Sequence, residues 1–191
     1  MKILPVMKYI RTLSIMVATL MAVVFSFEPL TMSGQNLKNF YYSTPTKEGT
    51  LYFIVPQDFN IKDKTEAADK KLSYDFTFTS SKDSVRMLMT IKTKKPLETD
   101  SLFIQTQNNL YRSGLNTIYK EIKKKLWINR MELFLKYDTW KDLFVSEMPL
   151  VLYIKQHGEE VKYTLPVKRW KELKDKYELF FQMIELNSKK R

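Results

Sequence analysis

Cysteine is absent from the 191 residues, and its absence removes disulfide staples, thiolate nucleophiles, iron–sulfur clusters and thiolate zinc sites together. Histidine occurs once, at His157, so a single chain cannot build a multi-histidine metal site or an imidazole relay. The four glycines lie far apart and fit neither a Walker loop nor a dinucleotide fingerprint, which closes those routes to a nucleotide. No Gly-x-Ser-x-Gly elbow accompanies His157, and this residue falls in a predicted turn, so a serine triad has no scaffold. With only four glycines and seven prolines there is no low-complexity linker, and no Asn-x-Ser/Thr sequon is present. Nothing in this inventory asks for a cofactor.

Negative charge is in short supply. Lys and Arg number 32 against 21 Asp and Glu, a formal net charge of +11. Such a balance attracts anionic lipid or acidic polysaccharide, and it also serves as a solubility device. Hydrophobic residues make up 44% of the chain, enough for the core of one ordinary domain.

Residues 1–34 read as a signal peptide. Lys2, Lys8 and Arg11 form a positive start, and residues 13–27 then run without a charge, about the upper length of a signal-peptide core and short for a membrane span. Ser33 and Gly34 offer small residues for cleavage, leaving Gln35 at the new N-terminus and a single globular domain over 35–191. No cysteine follows the apolar run, so a bacterial lipoprotein anchor is excluded. The alternative is an uncleaved inner-membrane anchor through residues 13–27. With the leader removed, 32 less Lys2, Lys8 and Arg11, against 21 less Glu28, leaves +9. Export without cysteine or sequons indicates a bacterial periplasmic or secreted protein.

The most legible stretch is 72–93. Leu72, Tyr74, Phe76 and Phe78 alternate with polar residues; after Ser80-Ser81-Lys82-Asp83, Val85, Met87, Met89 and Ile91 repeat the pattern. This is an antiparallel hairpin with one apolar face, which needs further strands or a helix to cover it. A first strand is expected over 51–55, closed by Pro56, with Gln57 to Lys71 as a charged loop and Gln35 to Thr50 irregular. A short strand follows at 101–106, then a loop from Gln107 to Asn116. Ile118, Ile122 and Leu126 fit one face of a short helix, or an irregular approach to the strand predicted over 127–137. Thr139 to Asp142 resembles a capping box opening a turn or two of helix that presents Trp140, Leu143 and Phe144. A second hairpin pairs 150–154 with 161–165 around His157-Gly158. Val167, Trp170, Leu173, Tyr177, Phe180, Phe181 and Ile184 then make a wide apolar face on a C-terminal helix, entered at Pro166.

The expected fold is mainly β: an antiparallel β-sandwich or strongly curved sheet with the C-terminal amphipathic helix packed on it, with an open α+β sheet as the alternative.

For function, Asp58-x-Asn60 resembles the start of a calcium loop, but the third ligand position holds Lys62 and the turn glycine is missing. Glu132, Asp138, Asp142, Glu147, Glu159 and Glu160 are carboxylates available to a hydrolase acting on glycans. The stronger candidate is Lys120, Lys123, Lys124 and Lys125, flanked by Tyr119 and Trp127, which together suit an anionic polymer. The sequence therefore favours a non-catalytic binding or accessory module. Its partner would be an acidic glycan, an anionic lipid surface or an envelope protein, and export disfavours nucleic acid.

Overall fold

The computed structural model describes residues 37–61, 68–99, 101–156 and 159–188. Ten strands and two helices alternate along them: β1 (Tyr41–Thr46), β2 (Gly49–Ile61), β3 (Ala68–Thr79), β4 (Ser84–Thr93), β5 (Ser101–Gln105), β6 (Leu110–Gly114), β7 (Asn116–Lys123), β8 (Leu126–Lys136), α1 (Tyr137–Phe144), β9 (Val151–Gln156), β10 (Glu159–Thr164) and α2 (Val167–Ser188). All strands join one antiparallel sheet in the order β6-β5-β9-β10-β2-β3-β4-β8-β7, with β1 beside β2.

That order dictates the curvature. Laid flat, nine strands about 4.8 Å apart would hold β6 and β7 roughly 38 Å from each other. Yet only Leu115 separates these two strands in the chain, so Gly114 and Asn116 lie within about 7 Å. The sheet must curl until its ends meet, and β6 accordingly touches β8. Of the expected architectures the strongly curved sheet forms, and the sandwich of two facing sheets does not.

The concave face holds the core, and period two decides which side chains enter it. Phe78, Phe76, Tyr74 and Leu72 stand directly opposite Val85, Met87, Met89 and Ile91, and all eight are buried. The next strand adds Met131, Leu133 and Leu135. Gly49 enters β2 at φ +129°, where an added Cβ would stand 2.7 Å from the Ser80 hydroxyl that accepts the Thr50 N–H. A side chain there fits neither the backbone nor the space.

Both helices lie against this face. Trp170, Leu173, Tyr177, Phe180, Phe181 and Ile184 are buried, while Val167, in the first turn of α2, is exposed. From α1, Trp140 meets Phe76 and Phe181 at 5.0 and 4.8 Å between ring centroids, and Phe144 meets Tyr177 at 4.7 Å. Such pairs add about 0.5–1.5 kcal/mol each beyond the area they bury.

Several local expectations are corrected. Pro56 does not end its strand; the register shifts between Ile54 and Gln57, and the missing proline N–H is tolerated in that irregularity. β2 therefore continues to Ile61 through what reads as loop, placing Asp58 in a strand where Lys71 binds it at 3.4 Å. α1 begins at Tyr137, so Thr139 lies inside it and no side chain caps it; the Tyr137 N–H is met by the Asp83 carbonyl instead. Tyr41 to Thr46 and Leu110 to Gly114 form strands, and 118–123 is strand rather than helix. Lys62 and the His157-Gly158 turn lie outside the described residues.

Within the core, the hydroxyls of Tyr74 and Tyr177 are fully buried and close enough to bias each other's ionisation, but no hydrogen bond of normal geometry joins them. Burial pushes both phenols well above their ordinary range. Tyr137 is pushed up to about 12, by burial first and then by Glu185.

Neighbouring residues of β4 should respond very differently to substitution. Met87→Asp inserts an unpaired charge among core side chains and should cost several kcal/mol, on the order of 3 or more. Arg86, on the convex face, donates to Glu132 at 2.6 Å, so Arg86→Gln should cost about 1 kcal/mol or less. Sequence alone makes even Arg86→Asp look harmless, but that change would set two carboxylates together. Equal melting temperatures for Met87→Asp and Arg86→Gln would reject the register.

Tyr74→Phe combined with Tyr177→Phe keeps the rings and removes two unpartnered hydroxyls, which should raise stability at neutral pH by about 1–3 kcal/mol. The folded phenols keep their protons above about pH 10, where unfolded tyrosine releases them. Folding then binds protons, so stability falls as pH rises past 10, and the double variant should flatten that fall. Urea melts at neutral and alkaline pH check both; a variant less stable at pH 7 would show that the hydroxyls are partnered.

Candidate functional site

The lysine run lies on β7 and at its turn. Lys120 and Lys123 are on the strand, and Lys124 and Lys125 form the two-residue connection to β8. The register sets Lys123 opposite Leu126, with Lys124 and Lys125 at φ 52° and 67°. Two successive left-handed residues make the hairpin turn that Asn-Gly fills with least strain, and an L side chain there costs roughly 1–2 kcal/mol. Two lysines occupy it instead.

Every residue of β7 is exposed, on both faces. The inward parity of β8 runs through Asn129, Met131, Leu133 and Leu135, which are buried. Lys120 stands opposite Asn129 and Ile122 opposite Trp127, which puts both on the inner side, whereas Tyr119, Glu121 and Lys123 point outward. The core does not reach these inner positions: Ile122 is 64% exposed. The hairpin thus projects past the core, with its lysines on either side of an edge rather than on one face.

Sequence reasoning missed a second contribution. Thr93 pairs with Trp127, and Trp127 with Ile122, so the end of β4 lies beside the hairpin. Lys92, Lys94 and Lys95 are exposed there. None of these seven lysines makes an ion pair among the described residues; Glu98 and Glu121 are the acidic residues in the same segments. Two strand spacings separate β4 from β7, about 10 Å, comparable to the screening length of physiological salt. The lysines therefore act as one field. Lys94 and Lys95 follow directly after a predicted strand, but only the register of β8 reveals which strand end they join.

The base of the projection is fixed by Asn129, which is fully buried. Its amide donates to the Ile91 carbonyl at 3.2 Å and the Thr93 hydroxyl at 2.9 Å, and its oxygen accepts the Leu97 N–H at 3.0 Å. Buried polar groups of this kind are retained only when satisfied. The Thr93 hydroxyl in turn donates to the Lys95 carbonyl, which ties the three-lysine segment to the same anchor.

The carboxylates do not converge. Glu132 is held by Arg86 on the convex face, Glu147 by Lys174 and Glu160 by Lys162. Asp138 and Asp142 are exposed on α1, and Glu159 heads β10. None of them lines the 170 Å³ pocket between β2 and α2, formed by Gln57, Asp58, Arg169, Glu172 and Lys176 among others, or the 260 Å³ pocket between α1 and α2, where Lys141 pairs with Glu185. Both are smaller than a typical small-molecule site of about 300–1,000 Å³. Among the described residues no cluster of three or more acidic or histidine side chains could hold a metal ion.

Several surface rings are covered as well. Arg112, Phe103, Tyr153 and Lys162 form a row across four strands, but the guanidinium and ammonium groups sit over the two rings at 5.6 and 5.2 Å. Tyr42 stacks on Phe53 at 5.0 Å. A sugar would have to displace these neighbours to stack. Compared with known proteins, the chain matches no family model, no curated protein and no solved structure.

Proposed function

We propose that the protein is an exported bacterial envelope or secreted binding module, non-catalytic, that holds a polyanion at the β4 and β7–β8 end of its sheet. The observation that carries this reading is the set of seven exposed lysines, without ion pairs among the described residues, gathered by the register of three strands. Two of them sit in left-handed backbone that would relax with Asn-Gly, so the turn carries charge at the expense of stability. Export supports the reading because the leader at 1–34 would deliver the module to acidic glycans, anionic lipid surfaces and envelope proteins rather than to nucleic acid.

Lys124→Asn with Lys125→Gly separates charge from folding. It should raise stability by about 1–2 kcal/mol, since the new residues suit the turn, and yet lower the salt needed to elute the protein from heparin. Lys168→Gln with Lys171→Gln, exposed on α2, removes the same charge and should shift elution much less. Coincident elution of the two variants would reduce the lysine end to a solvated face.

The leader has its own test. Intact mass of protein from the native host should correspond to a chain beginning near Gln35 in the soluble fraction; a full-length mass in membranes would support the anchor at 13–27 instead.

A further inference from the structure

We infer that the polyanion is an extended acidic polypeptide segment, which adds to the sheet as an eleventh strand along the free edge of β7. This rests on the reading of the lysine end as the binding face, and goes further by naming the partner and the atoms it meets.

β7 ends the hydrogen-bonded path of the sheet and, among the described strands and helices, packs against β8 alone. No backbone hydrogen bond outside that ladder reaches it among the described residues. The two-residue turn fixes which of its groups are free. Such a turn is flanked by a hydrogen-bonded pair, here Lys123 and Leu126, and bonded and non-bonded pairs then alternate. Glu121 and Tyr119 therefore bond to β8, whereas Lys120 and Ile122 direct their N–H and C=O groups away from the sheet. Two residues along a strand span about 6.8 Å, the repeat at which an antiparallel partner offers its own groups.

The side chains select that partner. Lysines and a register irregularity, here between Thr117 and Tyr119, are the devices that keep edge strands from pairing with copies of themselves. A second copy brings the same excess of lysine, with Glu121 as the one acidic residue of β7, so its charges are poorly matched. Against an acidic strand, the same lysines become complementary, and because Lys120 and Lys123 lie on opposite faces they reach acidic side chains on both sides of the added strand. Ile118, Tyr119 and Ile122 are 42%, 45% and 64% exposed and supply apolar contact between the charges. A flat lipid surface could meet one face of this edge only. An extended chain meets both.

The test uses the full-length mature protein with three probes: heparin, a fluorescent dodecapeptide of three Glu-Glu-Thr-Thr repeats, which presents Glu on both faces of an extended strand, and the same dodecapeptide N-methylated at every residue. Full N-methylation retains every charge and removes every backbone donor. The peptide should bind, N-methylation should weaken it by about tenfold or more, and hydrogen exchange should slow at the Lys120 and Ile122 amides with the peptide but not with heparin. Ile122→Pro, which deletes an outward donor and leaves the ladder to β8 intact, should lose the peptide to a similar degree. If that variant misfolds, the exchange of the two amides in the unaltered protein decides. Equal binding of the two peptides would overturn strand addition, since charge alone would then suffice. Heparin binding with no peptide binding would assign the site to a polysaccharide and overturn the inference while the proposed function stands. Failure of both probes would overturn both readings. Protection of the same amides by dimerisation of the free protein would give the edge to a second copy and likewise overturn the inference.

Discussion

One residue, Leu115, constrains the whole sheet. Because β6 and β7 follow each other across it while ending the strand order on opposite sides, every intervening strand must twist and coil until the ends meet. Curling gives the sheet an inside. A concavity lined by period-two apolar residues cannot stay empty at protein packing density, and the two helices fill it. Aromatic rings are large enough to span that space. Trp140 alone approaches Phe76, Phe78, Tyr137, Tyr177, Phe180 and Phe181, so α1, α2 and the β3–β4 hairpin are held through one ring system. The buried hydroxyls of Tyr74 and Tyr177 are the cost of building so much of this core from tyrosine as well as phenylalanine.

Curvature also determines where the core stops. β8 is long enough to serve two environments: from Met131 to Leu135 its inner side chains are buried, while Leu126 and Trp127 are only half covered. Asn129 marks the boundary. By satisfying backbone groups of β4 and of the segment after it, this amide closes the end of the core and lets the strand continue beyond without leaving buried polar groups open. Strand order, core length and a single polar anchor together produce a hairpin arm whose position is set by the folded domain but whose surface is left to solvent.

The legibility of the sequence follows this division. β3, β4 and α2 could be read because each has one buried and one solvated side, and burial imposes a period on composition; spacing identified their inward apolar residues, but it added Val167, which is exposed, and passed over the buried Thr93. β1, β6 and β7 could not, because they carry few or no buried side chains and so no period. Ile118 and Ile122 on β7, followed by Leu126 at the start of β8, show how an exposed strand and its turn can imitate a helical stripe by accident. The four lysines at 120–125 were visible as a run, but Lys92, Lys94 and Lys95 join the same cluster only through the pairing of β4 with β8, a long-range fact that local pattern does not contain.

On the proposed reading, an edge that disfavours pairing with itself and a site for a polyanion are the same object viewed against different partners. A sheet that curls but does not close retains free edges, and an exposed apolar edge strand invites association. Lysine at Lys120 and Lys123 blocks association with like strands, but it does so without covering the backbone groups that make the edge adhesive. What remains is selectivity. Like charge would oppose a second copy, neutral strands would gain no electrostatic contribution that offsets the desolvation of the lysines, and the proposed acidic chain would satisfy backbone and side chains together. The strained turn at Lys124 and Lys125 extends that selectivity to the tip of the arm, where Asn-Gly would hold the hairpin better and discriminate less.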